Sequence, residues 1–156
     1  MDAYYAFKAC HYLGIILLAG NITVTAVWKV FADRNGDWRV VRFGQQLVTG
    51  TDFGLTIPGI VLTMVGGYGA AWLQAYPLFE SQWLVWSQIL FVVAGAIWLG
   101  ILVPIQVRQA RMVARWTGQD DLNAEYRRLS RRWIAWGLIS TVPLCIILWL
   151  MVAKPH

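Results

Sequence analysis

Few side chains in the apolar stretches of this chain can do chemistry. The first is His11, about two turns into the run AFKACHYLGIILLAGNITVTAVWKVF. It and the C-terminal His156 are the two histidines of the sequence. A neutral imidazole is a good ligand for haem iron or another metal. Inside hydrocarbon it costs free energy unless it faces protein or a ligand. The bland role for such a histidine is a hydrogen bond to a neighbouring helix. A second axial ligand would come from Met151, Lys8, Lys154, His156 or His11 of a second copy; Met64 is deeper, and five-coordinate iron needs none. The second group is Asp52, at the start of the second apolar run and close to the basic side. An intramembrane carboxylate is a functional candidate by default, and its bland role is pairing with Lys29 or an arginine. Cys10 and Cys145 fall inside apolar runs with no C-x-x-C spacing, so they read as small hydrophobes rather than as a disulfide or metal site.

These residues belong to stripes. Three- and four-residue steps return to one side of a helix, which puts His11, Gly14, Asn21 and Thr25 on one face of the first run. Gln45, Thr49, Asp52, Thr56, Gly59, Thr63 and Gly66 form a similar stripe in the second. The third run offers Gln88, Gly95 and Gln106, and the fourth Ser140 and Thr141. Polar groups facing lipid would lack partners, so the stripes face inward. Asn21, Thr25, Thr56 and Thr63 read first as interhelical glue.

The elements that carry the stripes are long and apolar. The chain has 156 residues, 58% hydrophobic and 13% charged, against about 25% charged in an ordinary soluble domain. About 20 apolar residues cross a bilayer, and four runs qualify, at residues 6–31, 53–75, 83–107 and 133–153. Tyr4, Trp28, Trp38, Trp72, Trp83, Trp133 and Trp149 lie toward their ends, in the manner of an aromatic belt. The first run is too long for a signal peptide and no small-residue cleavage site follows it. Asn35-Gly36 marks a turn and Asp37 an N-cap, so the second helix starts near Trp38, ahead of the membrane. Ser81 is a candidate cap for the third. Gly118 can end its extension, and Asp120 or Asp121 can cap the fourth. Pro58, Pro104 and Pro143 each remove a helix hydrogen bond and can kink a span. No internal repeat or low-complexity segment stands out.

Charge sets the orientation. Lys29, Arg34, Arg39, Arg42, Arg108, Arg111, Arg115, Arg127, Arg128, Arg131 and Arg132 fall on one side, and Lys8 and Lys154 on the other. The positive-inside rule puts both basic connections in the cytoplasm and both termini outside. The net charge of +5 lies between the apolar runs, which speaks for anionic lipid and against nucleic acid.

The segments FKACHYLGIILLAGNITVTAVW, DFGLTIPGIVLTMVGGYG, WLGILVPIQVRQARM, YRRLSRRWIAWGLI and the terminal MVAKP resemble a bacterial family of predicted integral membrane proteins over nearly the whole chain. That family is distantly similar to membrane protoporphyrinogen oxidases of the HemJ type and to membrane proteins of the CopD type. The shared feature is a first helix with K-x-x-H and small residues after it, here Lys8 and His11 followed by Gly14 and Gly20. The resemblance implies a b-type haem on His11. The HemJ type also needs a membrane lysine, and the second, third and fourth spans here contain none.

The expectation is therefore a single-domain, all-α protein: a four-helix transmembrane bundle of a bacterial inner membrane, with basic cytoplasmic helical extensions. It binds b-type haem through His11, with Met151 or Lys8 as a second ligand, and serves electron transfer or porphyrin chemistry. Two other readings stay open. One is an accessory subunit that docks a partner through the basic hairpin. The other is a small oligomeric carrier or channel using Asp52 and the polar stripes, Asn21 and Thr56 among their residues. Self-association through the glycine faces suits any of the three.

Overall fold

The computed structural model describes residues 2–117 and 124–155. Gly118, Asp120, Asp121 and His156 lie outside the described residues. Every regular element among the described residues is helical. Helix α1 is Asp2–Asn35. Helix α2, Trp38–Thr51, runs through a wide π-turn, Asp52–Thr56, into α3, Ile57–Leu73. Helix α4, Gln82–Ile97, runs through a second π-turn, Trp98–Leu102, into α5, Val103–Arg115. Helix α6 is Ala124–Ala153. The four resulting rods have 34, 36, 34 and 30 residues and are apolar enough to cross a membrane. At 1.5 Å per residue each is roughly 45–54 Å long, well beyond the ~30 Å of hydrocarbon, so each carries its ends past the bilayer core.

The chain divides into two compact units, Met1–Pro77 and Leu78–His156. In the first, α1 packs along α2, the π-turn and α3. In the second, α6 packs along α4, the π-turn and α5.

The turns follow the sequence closely. Gly36 has φ +77°, and the Asp37 side chain accepts from the Arg39 N–H at 2.8 Å, which starts α2. Ser81 occupies the cap position of α4, but its side chain makes no capping bond; its carbonyl accepts from Leu84 and Val85 instead.

Both π-turns have one cause. In a straight α-helix the ring of Pro58 would meet the carbonyl of Gly54, and that of Pro104 the carbonyl of Gly100. Here the Ile57 N–H reaches five residues back to Asp52, and the Val103 N–H reaches five back to Trp98. The ladder is opened just before each proline. The segments GLTIP and GILVP thus share a pattern too short to register as a repeat. Pro143 lies inside the unbroken α6.

Trp72, Trp149 and Trp28 are exposed, as an interface belt requires. Trp133 is not: it is 7% exposed and belongs to the core with Tyr126, Leu129 and Val113, so its place in the belt is corrected. The shallow depression on α6 lined by Leu138, Thr141, Val142, Cys145, Ile146 and Trp149 is apolar and carries no candidate chemistry.

Helix α3 ends in a Schellman turn. The Ala75 N–H reaches Trp72 O at 3.1 Å, and the Tyr76 N–H reaches Ala71 O at 3.0 Å. This geometry holds Ala75 at φ +49°, where a Cβ is strained. Ala75→Gly should therefore raise the stability of the detergent-purified protein by about 1 kcal/mol, read as a higher midpoint of thermal unfolding. No gain would mean that the turn is not held in this form.

Candidate functional site

The polar side chains of the first unit are placed by one helix contact. Antiparallel α1 and α3 meet where neither has a side chain. A Cβ on Gly14 would come within 2.6 Å of Thr63 Oγ1 and 2.8 Å of Gly59 O. One on Gly66 would come within 2.6 Å of Phe7 O and 2.8 Å of His11 Cα. One on Gly59 would lie 3.0 Å from Leu18 N. Small residues let backbones approach this closely, and van der Waals contact then replaces the hydrophobic drive that lipid does not supply.

His11 sits at this contact, half-buried. Its Nδ1 is 2.7 Å from the main-chain oxygen of Thr63. A carbonyl only accepts, so Nδ1 carries the proton and donates. With the ring neutral, Nε2 then holds the lone pair. The ring fills the space that a side chain at position 67 would need: a Cβ there would lie 2.9 Å from Nδ1 and 3.1 Å from Cε1. Next to it, Thr63 Oγ1 is buried with no hydrogen-bond partner among the described residues.

The second polar group lies nearer the basic end of the same contact. Asn21 Nδ2 donates to Asp52 Oδ1 at 2.8 Å and lies 2.9 Å from Thr56 Oγ1, which is itself 3.4 Å from Asp52 Oδ1. All three residues are buried. Asp52 opens the π-turn, so the carboxylate and the Thr56 hydroxyl approach α1 together. Farther along α1, Lys29 is 1% exposed and pairs with Asp33 at 3.0 Å.

Set against expectation, the structure brings Asn21, Asp52 and Thr56 together and puts His11 at the other end of the same interface. Two of the expected glue residues act differently. Thr25 Oγ1 bonds to Asn21 O in its own helix, and the Thr63 hydroxyl makes no bond among the described residues. Lys8 holds its ammonium 5.8 Å from the ring centres of both Tyr4 and Tyr12. Met151 is half-buried on α6, in the second unit. No group of three or more His, Cys, Asp or Glu forms among the described residues. Sequence reasoning missed the Lys29–Asp33 pair, which its four-residue spacing shows, and the Thr63 carbonyl, which no side chain advertises. It also missed Gln109 of α5, fully buried with neither amide atom partnered among the described residues.

Four apolar helices of membrane-spanning length, with polar groups turned to interhelical contacts, define a multi-pass α-helical integral membrane protein. Residues 5–155 match the family described as Predicted integral membrane protein (DUF2269), and the chain belongs to that family. No curated protein and no solved structure matches it, and the likeness to the HemJ and CopD types gains no support from these comparisons.

Two measurements check this site. Gly66→Ala forces a methyl against the α1 backbone and should cost about 1–3 kcal/mol, whereas Gly20→Ala meets nothing within 4 Å and should be silent. Equal melting temperatures for the two variants would contradict the α1–α3 contact. A double-mutant cycle of Asn21→Ala and Asp52→Ala should give a coupling of about 0.5–2 kcal/mol. Strict additivity would show that the two side chains do not bond.

Proposed function

We propose that this is a small inner-membrane protein that binds b-type haem through Nε2 of His11 and serves electron transfer or porphyrin chemistry. Both termini face outward and the basic connections lie in the cytoplasm, as the charge distribution favours. The observation behind the reading is the bond from His11 Nδ1 to Thr63 O, which is also the interhelical bond expected of a histidine that binds nothing; the reading rests on what that bond leaves at Nε2. A backbone acceptor on Nδ1 fixes the tautomer and the ring, and it leaves Nε2 as the donor that iron takes. Within this site the residues present fit an axial ligand. Gly66 and Gly67 keep α3 close enough to hold the ring. Lys8, three residues earlier, holds its ammonium by the Tyr4 and Tyr12 rings and stays a candidate second ligand, as does Met151. When bound, haem supplies a one-electron couple, and the chain contributes the ligand and an apolar surround that set its potential.

The second reading, a small carrier, is favoured by the buried Asn21–Asp52–Thr56 group. It makes Asp52→Asn the damaging substitution and leaves His11→Ala harmless.

The test is the absorption spectrum of detergent-purified protein expressed with ample haem, oxidised and then reduced with dithionite. A Soret band that sharpens on reduction and is lost in His11→Ala is the expected result. A flat visible spectrum, or a band that survives the substitution, rules out the His11 assignment.

A further inference from the structure

The basic hairpin of the second unit contains more than topology requires. On α6, Arg127, Arg128, Arg131 and Arg132 are exposed, while Tyr126, Leu129, Ser130 and Trp133 between them are buried. At 100° per residue the four arginines cover an arc of about 140° and a rise of about 7.5 Å, so they form one patch. It ends at Trp133, where the apolar run of α6 begins, and so lies at the headgroup level. On α5, Arg108, Arg111 and Arg115 are also exposed. Glu125 is the acidic residue among the described residues of this hairpin, and it is already ion-paired with Arg108.

One feature of the patch is unfavourable in the protein alone. Arg127 with Arg131 and Arg128 with Arg132 are like charges four residues apart, which destabilise a helix. An anion on the patch removes that cost. The residue type names the anion. Lysine serves the positive-inside rule as well as arginine does, yet all seven basic residues from 108 to 132 are arginine. The planar guanidinium fork is the group that grips a phosphate through two hydrogen bonds.

We propose that the arginine face Arg127–Arg128–Arg131–Arg132 is a binding site for the phosphate of an anionic phospholipid in the cytoplasmic leaflet. The site is independent of His11 and holds whether or not haem is bound.

The experiment is native mass spectrometry of detergent-solubilised protein titrated with phosphatidylglycerol and, separately, phosphatidylcholine. Wild type should retain phosphatidylglycerol preferentially. Each arginine near a membrane surface contributes roughly fivefold in affinity, so Arg127→Gln with Arg131→Gln should lower that preference about tenfold or more. Arg39→Gln with Arg42→Gln removes the same net charge from the other basic connection, outside the proposed site, and should lower the preference clearly less than the 127/131 pair does. Arg127→Lys with Arg131→Lys keeps charge and insertion but loses the fork, and should fall between; it gives the answer if the Gln pair fails to insert. Equal losses from the two Gln pairs would reduce the effect to net charge and overturn the site. So would an unchanged preference in both the Gln and Lys variants at 127 and 131. Inorganic phosphate should not displace the lipid at equal concentration; if it does, the patch binds free phosphate and the lipid assignment fails.

Discussion

The structure of the first unit depends on two helix backbones lying against each other. Lipid gives helices no hydrophobic reason to associate, so contact must come from packing and from bonds between polar groups. Gly14, Gly59 and Gly66 supply the packing, because each faces main-chain atoms of the partner helix. The polar bonds follow from it. Asparagine is short, and Asn21 reaches both Asp52 and Thr56 because the helices are already close. The imidazole of His11 reaches a carbonyl that belongs to the helical ladder of α3 for the same reason. Fill the glycine contact and both polar groups lose their partners together. In a medium without water, each lost partner leaves a buried group unsatisfied.

Proline imposes the second constraint. Each kinked rod must pass a residue with no N–H and with a ring that presses on the carbonyl four back. In both rods a glycine stands at that position and the turn opens to five residues. In the first unit this opened turn begins at Asp52, so the residue with the costliest side chain lies where the helix is locally wide. Wide turns of this kind are frequent at functional positions. In the second unit the matching residue is Trp98, which brings no charge into the span.

Much of this is legible in the letters. Hydropathy marks the four spans, the Asn35-Gly36-Asp37 turn is plain, and three- and four-residue steps collect Gln45, Asp52, Thr56, Gly59 and Gly66, all of which are buried. What periodicity lacks is the identity of the opposing surface. It shows that His11 faces inward but not that a main-chain oxygen receives it, because a carbonyl has no letter. It puts Trp133 at a span end, where a belt is expected, and cannot see that α5 packs on α6 in the same unit, where Trp133 is buried. It weighs Lys29 for Asp52 and passes over Asp33, one turn along the same helix, which pairs with Lys29. The prolines are visible, but the choice of a π-turn over a simple kink is settled by the whole ladder.

The same glycine contact bears on which chemistry the first unit suits. His11 with Thr63 and Asn21 with Asp52 lie on one interface, about 15 Å apart along α1. Between them Gly14 faces Thr63 and Gly59 O, and Gly59 faces Leu18 N, at distances too small for an added methyl group. At these points the backbones leave no room for an added side chain. A carrier that moved an ion or proton between them would have to part α1 from α3, and in doing so would break the bond that holds His11. The contact therefore ties both polar groups to one spacing of α1 and α3, so a motion that parts the helices at one end loosens the bond at the other.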